Sequence, residues 1–93
     1  MTDVFDFMEQ LEPYGEKPNT IFRLVQRHRL IIDPFAEQIA GARILDLAAH
    51  DGRWSYALAN AGAKNVIGVE ARQELIDRFV HFPQTDVKSR VTL

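Results

Sequence analysis

The chain has no cysteine among its 93 residues. Disulfides, thiolate metal ligands and a cysteine nucleophile are thereby excluded, and the composition suits a reducing compartment. Long apolar runs are missing as well. None approaches the roughly 18 residues of a membrane-spanning helix, and the start, Met1-Thr-Asp-Val-Phe-Asp, is acidic where a signal or transit peptide would be basic. A soluble, cytoplasmic chain without a membrane partner is expected. Charge of one sign is also scarce: 11 Lys and Arg against 13 Asp and Glu leave a formal charge of −2. That balance supplies no global attraction to nucleic acid or an anionic surface. The local basic cluster of Arg23, Arg27, His28 and Arg29 reads as a solvated helix face. Internal repeats and low-complexity tracts are absent. So is metal-ligand spacing, because His28, His50 and His81 lie far apart, and no metal site is expected.

What is present is a hydrophobic fraction of 46%, enough for one modest core in a single domain. The chain is organised around residues 43–70. Ile44, Leu45 and Leu47 form a short apolar run, predicted to be a strand buried on both faces, with Asp46 near its carboxyl end. A loop follows, in which Gly52 marks the turn. Residues 53–61 are rich in helix formers, and Gly62 stands where a helix needs a left-handed terminator. Val66, Ile67 and Val69 then predict a second strand, with Glu70 at its end. In a parallel sheet, Asp46, the loop and Glu70 share the carboxyl edge, where two carboxylates and a helix N-terminus face one crevice.

The flanks are simpler. Val4, Phe7, Met8 and Leu11 recur at helical spacing, with Thr2 or Asp3 as cap, and predict a short amphipathic helix. Residues 12–19 carry two prolines and a glycine and read as a loop. Asn19 or Thr20 caps a second helix whose stripe is Ile21, Leu24, Val25, His28, Ile31 and Ile32. Asp33-Pro34 opens a short helix over 34–40 that Gly41 ends. Beyond Glu70, a helix from Arg72 to Phe82 puts Leu75, Ile76, Phe79 and Val80 on one face. A polar turn over 84–89 leads to a third strand beginning at Arg90.

In order and spacing these features resemble the cofactor-binding half of a class I S-adenosylmethionine-dependent methyltransferase, over residues 36–93. The first motif of that family, D/E-x-G-x-G-x-G, lies over Asp46-Leu-Ala-Ala-His-Asp-Gly52. Asp46 and Gly52 match its acid and last glycine, while Ala48 and His50 stand where the family has glycine. The second signature, an acid ending the second strand, is met by Glu70. The resemblance implies an α/β, Rossmann-like, doubly wound parallel sheet and S-adenosylmethionine as cofactor. It places that cofactor along Asp46, Ala48, His50 and Gly52 and at Glu70 and Ala71, with Asp46 near the methionine end and Glu70 on the ribose hydroxyls. It also implies a helical segment over residues 1–40 and the first half of a methyltransferase domain over 41–93, breaking off as the third strand starts. The first strand, central in a full sheet, is then left at an edge open to self-association, and the 93-residue fragment alone is expected to be inactive. The methyl acceptor is not named by any residue.

Other chemistries fit less well. An NAD-dependent enzyme needs glycines near 48, 50 and 53, where this chain has Ala48, His50 and Arg53. A serine hydrolase needs a glycine-flanked elbow that Ser55 lacks. The His50-Asp51 pair has no nucleophile and reads as solvated turn chemistry. Trp54 and Tyr56 face different ways on a helix, one against the sheet and the other exposed or near the crevice. From another class stands a non-catalytic scaffold domain that kept the fold and lost the cofactor.

Overall fold

The elements were traced in a computed structural model, which describes residues 4–10 and 19–93. The Thr2 or Asp3 cap, Leu11 and the loop before Asn19 lie outside the described residues. The first segment forms a 3-10 turn over Asp6–Gln10 in place of the expected helix. Phe5, off the expected stripe, is fully buried beside Met8. Helix α1 covers Asn19–Ile31; Leu24 and the following Ile32 are buried, but Ile31 faces outward. Asp33 does not cap. It sits inside a 3-10 turn with Pro34, with its carboxylate 3.3 Å from His28 Nδ1. That turn runs into α2, Ala36–Ile39, and Gly41 follows in a left-handed conformation.

Strand β1 (Arg43–Leu47), helix α3 (Arg53–Asn60) and strand β2 (Asn65–Val69) form a βαβ unit. Gly62, at φ 113°, ends α3. Its N–H reaches the Ala59 carbonyl at 3.0 Å and the next N–H, of Ala63, reaches Leu58 at 3.1 Å, so the terminal carbonyls that a helix leaves orphaned are satisfied. Helix α4 (Gln73–Arg78) tightens into a 3-10 turn over Phe79–His81. That change of pitch leaves Val80 exposed, against expectation, and Phe82 buried. The polar stretch after it contains a short α5 (Asp86–Ser89), capped by the Thr85 side chain, before β3 (Val91–Thr92).

The result is an α/β fold around a three-stranded parallel sheet of order β1-β2-β3, with β1 at the edge. Arg43 pairs with Asn65 through to Leu47 with Val69, and Val66 pairs with Val91. Side chains alternate across a sheet, and one set, with Val66 and Val91, packs under Tyr56, Ala59, Phe79 and Phe82. Ile32 and Ile39 join the same core. A second cluster of Phe5, Met8, Leu24 and Ala57 lies along α3. The other set corrects the expectation for β1: Leu45, Leu47, Ile67 and Val69 are between 50% and 69% exposed. The strand is half-buried on one face only, the face against which the described helices pack. Trp54 and Tyr56 both pack, Tyr56 against Phe7 and Phe82 and Trp54 against Phe5. Among the described residues no helix is long and apolar enough to cross a membrane.

Candidate functional site

The loop after β1 carries the site, and its backbone is unusual. Ala48 has φ 58°, His50 φ 60° and Gly52 φ 88°. The left-handed region costs a non-glycine residue roughly 1–2 kcal/mol, so this alternation is the one that glycines at 48, 50 and 52 would adopt without strain. Gly52 is further constrained: a Cβ there would meet the Phe79 ring at 2.6 Å. Gly68, paired with Asp46 in the sheet, gives the loop and α3 room from below. A Cβ on it would meet Ser55 Oγ at 2.8 Å and the Ala49 methyl at 2.9 Å.

Two acids are held by the same device. Asp51 and Glu70 are each followed two residues later by an arginine that donates both its main-chain N–H and its Nε to the acid. Asp51 is fully buried, which overturns its reading as solvated turn chemistry. Arg53 Nε and Nη2 each lie 2.9 Å from one of its oxygens, and the Arg53 N–H lies 3.2 Å from Oδ1. This bidentate geometry compensates the buried charge.

At Glu70, Oε2 accepts the Arg72 N–H at 3.1 Å and Arg72 Nε at 3.0 Å. Oε1 accepts the His50 N–H at 2.8 Å, tying the loop to the end of β2. The Glu70 side chain is only 6% exposed, whereas that of its partner Arg72 is 59% exposed. The hydrogen bonds from the Arg72 side chain and N–H, helped by the His50 N–H, hold the Glu70 carboxyl down to about 2 from an ordinary 4.5, against a smaller opposing effect of burial. The same contact raises the pKa of Arg72.

His50 does not join Glu70 through its ring. Nδ1 lies 3.5 Å from both Asp51 Oδ1 and Arg53 Nη2. Burial, then the positive charges of Arg53, Arg72 and Arg78, push its pKa below 6.5, with Glu70 opposing. The imidazole is therefore neutral at pH 7, and its approach to Asp51 is no ion pair. Asp46 is held from α3: the buried Ser55 hydroxyl donates to Oδ2 at 2.7 Å. Ser55 thus joins strand to helix and is no nucleophile.

Of the expected residues, Ala48, His50 and Gly52 lie in one loop, which the His50 N–H ties to Glu70. Asp46 is fixed beside it through Ser55, and Ala71 is exposed between Glu70 and Arg72. Sequence reasoning missed Ser55, Arg53 and Arg72. The signal for the two arginines was the repeated acid-x-Arg spacing of Asp51-Gly-Arg53 and Glu70-Ala-Arg72. Among the described residues no cluster of His, Asp or Glu could hold a metal ion. No protein-family model, curated protein or solved structure matches this chain.

Proposed function

We propose that this chain binds S-adenosylmethionine as the cofactor-binding half of a Rossmann-like methyltransferase domain. The observation that carries the reading is the backbone of residues 48, 50 and 52, with φ of 58°, 60° and 88°. A loop that keeps the left-handed alternation of a glycine-rich turn, even where its residues are Ala and His, has the main-chain shape that lets a ligand approach closely. Its tie to an acid at the end of the next strand supports the same reading.

The residues fit the cofactor. Glu70 is ionised down to about pH 2 and accepts hydrogen bonds from vicinal ribose hydroxyls. Asp46, with Oδ2 held by Ser55, keeps Oδ1 for the methionine end, directly or through water. Ala48 contributes only a methyl group, and the His50 ring leans toward Asp51 and Arg53. When bound, the sulfonium supplies an activated methyl group and a good leaving group to an acceptor nucleophile. The chain's own share is orientation and electrostatics. One observation favours the competing reading of a non-catalytic scaffold: Glu70 already has donors on both oxygens, as a purely structural acid would.

Titration of the labelled protein with S-adenosylhomocysteine, followed by NMR, tests the proposal. The expected result is saturable shifts at Ala48, His50 and Glu70, with affinity about tenfold weaker in Glu70→Gln, the loss of a charged hydrogen-bond acceptor. Shifts absent from this loop would overturn the reading. No saturable binding at any residue would favour the scaffold, which keeps the fold without the cofactor.

A further inference from the structure

We propose that the Arg72 side chain is a latch on Glu70, which must open before a nucleoside can seat, so that arginine and ribose compete for one carboxylate. The inference rests on the nucleoside reading of Glu70 given above. An ionised carboxylate offers about four acceptor positions. Three are filled: one on Oε1 by the His50 N–H, and two on Oε2 by the Arg72 N–H and Nε. Vicinal hydroxyls that engage both oxygens need one position on each. Oε1 has one to spare, and Oε2 has none.

Of the three donors, only one can leave cheaply. The two N–H groups belong to the main chain, one in the strained loop and one at the start of α4. The guanidinium sits on a flexible stem, holds Glu70 through Nε alone, and is 59% exposed. Its counterpart shows what a closed clasp looks like: Arg53 uses two nitrogens on two oxygens of Asp51 and is 16% exposed. Arg72 has solvent to move into, and its one-nitrogen contact is a looser hold than the two-nitrogen grip of Arg53.

The test compares S-adenosylhomocysteine, which carries no net charge at pH 7, binding to the wild-type chain, Arg72→Gln and Glu70→Gln, at low and high salt. Arg72→Gln is expected to bind about two- to fivefold tighter than wild type. Wild-type affinity should rise with salt, because screening weakens the latch, while that of Arg72→Gln stays flat. In the wild type, the Arg72 Nε–H resonance should move toward its solvent-exposed position as the ligand saturates. If wild type binds, Glu70→Gln binds more weakly, and Arg72→Gln binds equally or more weakly with an unmoved Nε–H signal, the latch is wrong and the nucleoside reading survives. If Glu70→Gln binds as wild type does, or if wild type does not bind, the nucleoside reading fails and the latch fails with it.

Discussion

The two acid-x-Arg clasps use the same local geometry and differ in where they are placed. Asp51 and Arg53 lie in the interior end of the loop, with the acid fully buried and the arginine 16% exposed. Glu70 and Arg72 lie at the rim, where the arginine faces water. Both pairs share the sequence separation and the N–H and Nε donors; the inner arginine adds Nη2 on the second oxygen and lies deeper, and those two differences decide what each pair does. The inner pair fixes the loop because a fully buried acid is gripped by two nitrogens of one arginine. The outer pair can exchange its arginine for solvent or for another donor, and the acid remains ionised in either case.

Breaking the inner clasp should have the largest effect. Arg53→Met leaves a buried carboxylate without its countercharge, and a loss of about 3–5 kcal/mol is expected from denaturant unfolding. His50 stands between the clasps, its N–H on the outer acid and its ring toward the inner pair. Substitution to glycine removes left-handed strain and adds unfolded-state freedom; the first exceeds the second, so His50→Gly is expected to gain up to about 1 kcal/mol. A loss would mean that the ring contacts outweigh the strain.

The outer clasp should act through pH. The folded Glu70 carboxyl is held to about 2, below its ordinary 4.5, so the folded state binds fewer protons than the unfolded state between these values. Its contribution to stability is complete above about pH 4.5 and is lost as pH falls toward 2. The stability difference between wild type and Glu70→Gln, measured by denaturant titration, should shrink across that window. The smallest effect belongs to Arg72→Gln at neutral pH, which removes one of the Arg72 hydrogen bonds on Glu70 and keeps the main-chain one, so a loss below about 1 kcal/mol is expected. A marked drop would make the outer clasp as structural as the inner one.

Much of this arrangement was legible in the sequence. The order of strands and helices around residues 43–70 followed from periodicity and from Gly52 and Gly62, and the edge position of β1 was expected from the resemblance to the first half of a doubly wound sheet. The loop's backbone was not legible, because the usual marker of left-handed residues is glycine, and Ala48 and His50 carry the conformation without the marker. The burial of Asp51 was hidden for a different reason. An acid beside a glycine in a loop reads as a turn, and only the packing of Phe79 over Gly52 shows how deeply that turn is set. The one-sided burial of β1 was misread because an apolar run reports that burial is favourable, not that a neighbouring layer exists. Phe82 was taken as the end of a helix; the 3-10 turn at Phe79 redirects it inward, and a change of pitch leaves no trace in composition.

The parallel pairing of β1 with β2 continues past both strands. Ala49 N–H bonds to the Val69 carbonyl at 2.9 Å, and one residue later the His50 N–H bonds to the Glu70 side chain. A main-chain carbonyl does not change its charge in water, but this last acceptor does. The pairing therefore ends on a bond that protonation weakens, and the fraying of the loop becomes a titratable property, which the main-chain bonds before it do not share. Amide hydrogen exchange would see it as a divergence between neighbours. As the acid protonates, His50 should lose protection while Ala49 keeps its own.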